Sequence, residues 1–211
     1  MGKLGKCIQL LSFVSVLLAA MSCQKEQIYT GSELPISFST DTVQFDTIFT
    51  TLSSITKSFT VHNKNDKTVE IGQISLQGGD TSPYRLNIDG ANATNVKGVE
   101  IQGNDSLYIF VKVTLDPNNA ASPMIAEDAI TFQRKGNEKK VRLISFGQDV
   151  HLVDGEVIGD ETWVADKPYL IYNSLLVDTN ATLRLAPGAQ LYFSQESHLY
   201  VAGSIIAAGT L

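Results

Sequence analysis

The most confining feature of this chain is a spacing in its C-terminal part. Leu175 and Val177 form an i, i+2 apolar pair, and so do Leu183 and Leu185, Leu191 and Phe193, and Leu199 and Val201. Each pair begins eight residues after the last. Residues two apart share one face of a strand, whereas helical neighbours on a face lie three or four apart. An eight-residue beat leaves room for a short strand and a turn, and turn-rich pieces (DTNAT, APGAQ, SQESH, AGS) fill the intervals. Two readings satisfy this pattern. Strand-turn units can wind into a coil of three units, about two dozen residues per coil, or they can form a meander of small hairpins.

Upstream the pattern is different. In SLYIFVKVTL, Leu107, Ile109, Val111, Val113 and Leu115 alternate with Tyr108, Phe110, Lys112 and Thr114. That is a strand with one apolar face turned inward. SFTVHN (Phe59 and Val61 inward), VEIGQISL, DAITFQ and KKVRLISFG read the same way. Turn chemistry separates them at Asn63–Asp66, Gly78-Gly79-Asp80, Gly103-Asn104-Asp105, Asp116–Asn119 and Lys135-Gly136-Asn137. Short strands punctuated this often predict an antiparallel β-sandwich over residues 36–150. The fold class expected for the whole chain is all-β.

Composition narrows the function. Sixteen Lys+Arg against 22 Asp+Glu, with no basic run, argue against a nucleic-acid partner. The two cysteines, Cys7 and Cys23, both lie near the N-terminus, so no disulfide framework or thiolate zinc site is expected in the body. His62, His151 and His198 form no ligand pair of close spacing. Residues 1–22 carry Lys3 and Lys6, then an apolar run from Ile8 to Ala20, then small residues before Cys23. This is the layout of a secretory signal, too short for a confident membrane span. A polar stretch, residues 23–35, reads as a flexible tether.

The ending AAMSC resembles a bacterial lipobox. The resemblance implies that Cys23 becomes the first mature residue and is acylated, with palmitate-type chains anchoring the protein in a membrane. Several chains suffice for stable anchoring where one is marginal. Gln24, in place of an Asp, favours the outer membrane, and the periplasmic or surface face stays open.

Residues 36–148 resemble immunoglobulin-like domains of the ASPM/SPD-2/Hydin type, through FTVHNKNDKTVEIGQISLQGGD, IQGNDSLYIFVKVTLDP and VRLISFGQ. Such domains are usually spacers or binding modules. The segment ETWVADKPYLIYNSLLVDTNATLRLAPGAQLYFSQESHLYVAGSIIAAGT resembles the entry turn of a right-handed parallel β-helix. The matching positions are Trp163, Pro168, Tyr169, Pro187, Gly188, Val201, Gly203, Ile205, Ala207, Gly209 and Thr210. Together the chain resembles Bacteroidetes lipoproteins with a β-helix repeat region, which carry many more coils. Residues 151–211 are therefore expected to be the cap and first coils of an incomplete β-helix, cut short at Leu211.

No catalytic constellation, metal site or cofactor motif is visible. The acids of DGEVIGDE depart from an EF-hand loop and read better as a solvated linker than as a calcium site. Trp163 and Tyr169 are candidates either for ligand stacking or for a cap on the open helix end. Thr42, Thr47 and Ser106 each follow an Asp and precede an apolar residue, resembling the Bacteroidetes O-glycosylation motif. The expected function is that of a non-catalytic, lipid-anchored envelope protein, with a glycan or an envelope protein as partner. The alternatives are the N-terminal part of a β-helix polysaccharide lyase or hydrolase, and a remnant without function.

Overall fold

The computed structural model describes residues 27–118 and 124–209. Cys23, the leader before it, and Thr210 and Leu211 lie outside them. Ten strands form the first unit: β1 (Ile36–Phe38), β2 (Thr42–Phe49), β3 (Lys57–Asn63), β4 (Val69–Leu76), β5 (Tyr84–Ile88), β6 (Ala91–Ala93), β7 (Asn95–Ile101), β8 (Ser106–Val113), β9 (Met124–Arg134) and β10 (Asn137–Gln148). They make two five-stranded sheets, ordered β1-β3-β8-β5-β6 and β2-β10-β9-β4-β7. The alternation read from the sequence is what packs them. Ile109, Val111 and Val113 of β8 are buried, as are Phe59 and Val61 of β3, and they meet Phe45, Ile71, Ile74, Phe132, Val141 and Leu143 of the other sheet. The result is an immunoglobulin-like β-sandwich.

The sandwich is not wholly antiparallel. β2 pairs parallel with β10, and the register slips between Ile144 and Phe146, so β2 bulges by one residue. A bulge bends an edge strand away from flat pairing, which protects it against further strand addition. The β9–β10 hairpin closes on Lys135 and Gly136, with φ 44° and 85°. Positive φ at both central residues gives the twist that tight hairpins need, and glycine adopts it without steric cost.

Polar groups inside the sandwich are bonded. Asn63 is 1% exposed, and its Nδ2 donates to the carbonyls of Lys67 (2.8 Å), Ile101 (2.9 Å) and Gln102 (2.9 Å). Its Oδ1 accepts from Asn65 N–H at 3.0 Å. The amide thus ties the β3–β4 turn to the end of β7. Tyr84 spans the core, its hydroxyl 2.9 Å from both the Ala126 carbonyl and the Ser145 hydroxyl, and burial pushes its phenol up from the ordinary 10.0.

Residues 27–35 are not a free tether. Ile28 bridges Thr68, Leu34 is buried in the core, and the Arg134 guanidinium donates to the carbonyls of Tyr29 and Gly31 at 2.5 and 3.3 Å. Lys135 and Asn137 reach the carbonyls of Thr30 and Ser32. The polar composition misled because these contacts use backbone carbonyls, which every residue offers whatever its side chain.

The second unit contains β11 (His151–Ile158), β12 (Glu161–Trp163), β13 (Tyr169–Val177), β14 (Thr182–Leu185), β15 (Leu191–Phe193), β16 (His198–Val201) and β17 (Ser204–Ala207). Every pairing here is parallel. β11, β13 and then β15 and β16 form one sheet, and β12, β14 and β17 form another. Tyr169 faces Leu191, Leu175 faces Leu199, and Leu183 faces Ile205. Parallel neighbours cannot be joined by a tight turn, so the hairpin meander is excluded. Leu175, Val177 and Leu183 are fully buried with Ile171 in a second core. The later pairs turn inward only in part: Leu191 and Leu199 pack on that core, while Phe193 and Val201 are 48% and 42% exposed.

Candidate functional site

The strand pairing of the second unit decides which side chains meet on its outer surface. Leu152 of β11 is level with Leu170 of β13, which is level with Tyr192 of β15. In the same sheet Val157, Leu176 and Tyr200 line up across β11, β13 and β16. Leu152, Tyr192, Val157 and Tyr200 are 38–64% exposed. Val157, Leu176 and Tyr200 therefore make one apolar row on the outer face of the sheet, whereas Leu170 is only 3% exposed, so that of its row Leu152 and Tyr192 alone reach the surface. Tyr192 also packs on Phe49 of the sandwich, with ring centroids 5.2 Å apart. Single exposed apolar residues are ordinary, but contiguous ones mark contact surfaces.

Trp163 and Tyr169 come together, though not at the surface. They are 3% and 7% exposed and stack at 4.2 Å with planes 3° apart. His151 covers the tyrosine ring, stacked at 4.6 Å. The Trp163 indole N–H donates to Glu161 at 2.9 Å, and Val164 N–H donates to the Tyr169 hydroxyl at 3.1 Å. Burial raises the Tyr169 phenol above 10.0. Rings sealed in this way offer no face to a ligand, which corrects the stacking expectation for these two residues. Tyr172, Tyr192 and Tyr200 do carry exposed rings, at 38%, 44% and 56%.

His151 also meets Asp166, Nε2 to Oδ1 at 2.9 Å. That hydrogen bond, joined by one from the Lys167 backbone, holds the Asp166 carboxyl below its ordinary 3.8. Beside it a polar hollow of about 190 Å³ lies between Gln148, Asp166, Lys167 and Gln190. Among the described residues no group of three or more His, Cys, Asp or Glu side chains is placed to hold a metal ion.

The three hydroxyls with the glycosylation-like motif differ in setting. Thr47 is exposed on β2, which ends its sheet. Thr42 is half-buried at the start of that strand. The Ser106 hydroxyl is half-buried and bonded to His62 Nδ1 at 2.9 Å. Cys23 lies outside the described residues.

Leu152 and Val157 were not singled out from the sequence. Their outward position depends on register with strands about twenty residues away: five apart, they would lie on opposite faces of a regular strand, and the irregularity between Asp154 and Glu156 brings them to one.

No family model matches the chain, and no curated protein does either. Solved structures are similar at low levels. A family 123 glycoside hydrolase from Clostridium perfringens is 9% identical, with a TM-score of 0.37, over 54% of this chain and 27% of that one. The E. coli chaperone DraB is 8% identical, with a TM-score of 0.35, over 59% of this chain and 57% of that one. A PapD-like domain of human CEP192 is 8% identical, with a TM-score of 0.36, over 64% of this chain and 96% of that one. This chain spans about a quarter of the first and just over half of the second. Likenesses this slight carry no functional argument, and the sandwich stands on its own strand pairing and core.

Proposed function

We propose that this chain is a non-catalytic, lipid-anchored cell-envelope protein of the Bacteroidetes lipoprotein kind. In this reading the sandwich is of the ASPM/SPD-2/Hydin type and serves as a spacer. The second unit is the opening of a right-handed parallel β-helix that presents a binding face to a glycan or an envelope protein. Two sheets of exclusively parallel strands, recurring along the chain at coil-like intervals, support the β-helix. The observation that carries the binding role is the outward apolar row Val157–Leu176–Tyr200, with exposed Leu152 and Tyr192 on the same sheet.

The docked segment sharpens the geometry of the anchor. Gln27 already bonds Thr68 on the sandwich. Only four peptide steps separate it from Cys23, a reach of about 14 Å at most. An acylated Cys23 at the outer membrane would hold the sandwich close against the lipid, not at the end of a long leash.

The test is a glycan array and an envelope cross-linking experiment on the full chain, run beside a Val157→Ser/Tyr200→Ser variant. The reading expects a partner that the wild type captures and the variant loses. Capture that is indifferent to both substitutions would remove the binding face from the proposal.

A further inference from the structure

The outer surface of the first sandwich sheet carries a groove that the coil surface does not involve. It measures about 730 Å³ and is lined by Arg85, Asn87, Asn92, Phe110 and Lys112, with threonines at its rim. Its volume is within the usual range of small-ligand sites. Arg85 of β5 sits directly opposite Lys112 of β8. Like charges facing each other across two strands are unfavourable. No carboxylate lines the groove, and neither cation joins an ion pair among the described residues. The protein therefore holds two uncompensated positive charges side by side.

The neighbouring groups are ordered. The Arg85 guanidinium donates through one nitrogen to the carbonyls of Ser82 and Tyr84, at 2.6 and 2.7 Å, which fixes the fork and leaves its other nitrogens without a protein acceptor among the described residues. Asn87 Nδ2 donates to Asn92 Oδ1 at 2.8 Å, and Asn87 Oδ1 accepts from Gly90 N–H at 3.1 Å. The Asn92 amide nitrogen keeps its donors. Phe110, opposite Asn87, is 43% exposed and supplies an aromatic face.

We propose that this groove binds an acidic saccharide, a ring polyol bearing carboxylate or sulfate. Arg85 and Lys112 would take the anion, the Asn92 amide a hydroxyl, and the Phe110 ring the apolar face of the sugar. β8 is paired on both edges, and β5 lies between β8 and β6 with only Tyr84 and Arg85 open on one edge, too short a stretch for strand addition. A peptide cannot add to them as a further strand, so recognition here runs through side chains alone. The groove lies on the sandwich and stands independently of the coil surface.

The experiment is calorimetric titration of the full chain in detergent with tetragalacturonate and with a sulfated heparin tetrasaccharide. Fully methyl-esterified tetragalacturonate, tetraglutamate and inorganic phosphate are the comparators. At least one acidic saccharide should bind, with affinity falling as salt rises. The methyl ester should bind about tenfold more weakly or worse, and Arg85→Gln and Lys112→Gln should each weaken binding about tenfold, the scale of one charge-assisted contact. Phe110→Ser should weaken the saccharide, and Lys97→Gln on the opposite sheet should change nothing. All four positions are exposed, and an unchanged melting temperature confirms that each variant is folded. The proposal is overturned if neither acidic saccharide binds, or if Arg85→Gln and Lys112→Gln leave binding intact. It is also overturned if tetraglutamate or phosphate binds as tightly as the saccharide, since the sugar ring would then contribute nothing. Methyl-ester binding equal to the acid, insensitive to both cation variants, would retain a glycan-binding protein and eliminate the acidic site.

Discussion

Gly203→Ala should loosen the last described turn of the second unit and nothing else. A Cβ at this position would collide with the backbone carbonyl oxygens of Ala181 and Asp178, in the turn that precedes β14. Backbone atoms cannot rotate away as a side chain can, so relief requires the two layers to part by about 1 Å. Ser204 N–H to the Ala181 carbonyl (2.8 Å) and Ala202 N–H to the Val177 carbonyl (3.0 Å) would then exceed bonding distance, and the longer Gly203 N–H contact with Val177 would go as well. At about 1 kcal/mol for each net hydrogen bond, the loss is about 2–3 kcal/mol. It should be read from amide hydrogen exchange, as a fall of about 30- to 150-fold in the protection of Ser204 and Ala202. Sandwich amides such as those of β8 should keep theirs. Gly159→Ala, where an added Cβ meets nothing within 4 Å, is the control. Protection at Ser204 unchanged within about threefold would refute the reasoning, because the layers would then not be stacked as closely as these contacts require.

Other consequences follow from the buried polar groups. Asn63→Ala strands three carbonyls that share one amide and should cost about 2–4 kcal/mol in urea unfolding. Tyr84→Phe should cost about 1 kcal/mol by the same assay, since it removes the hydroxyl shared with Ala126 and Ser145. Of the seven tyrosines, Tyr84 and Tyr169 have phenols raised above 10.0. A raised value favours the neutral folded form, so their contribution is complete below pH 10.0 and is lost as pH rises through the folded values. Absorbance titration should show these two ionising above their ordinary 10.0, together with unfolding. Asp166 has the opposite sign: its lowered carboxyl stabilises above 3.8, and that contribution drains away as pH falls through the folded value. Asp166→Asn should flatten the acid limb of the melting-temperature profile.

The parts of this fold legible in the sequence are those in which one strand carries its own signal. β8 alternates for its full length, and its inward and outward residues match the observed burial. The eight-residue pairs likewise land on four separate strands, β13 to β16. What escaped was long-range. The parallel pairing of β2 with β10 joins residues about a hundred positions apart and leaves no local trace. β7 was missed because Gly98 interrupts it and most of its residues face solvent. Trp163 and Tyr169 were visible as a pair, but their burial depends on their stacking on each other and on His151 closing over the tyrosine. The cationic groove was invisible for the same reason: Arg85 and Lys112 meet only once β5 and β8 are in register.

Tethering at a membrane underlies the whole functional reading, and the mass of one peptide tests it most directly. The protein would be extracted in detergent from the membrane fraction of its own cells and digested with trypsin. The account predicts a peptide that begins at Cys23 and ends at Lys25, with a diacylglyceryl group on the thiol and an acyl chain on the new N-terminus. An unmodified Cys7–Lys25 peptide, with Cys23 internal and its thiol free, would contradict it.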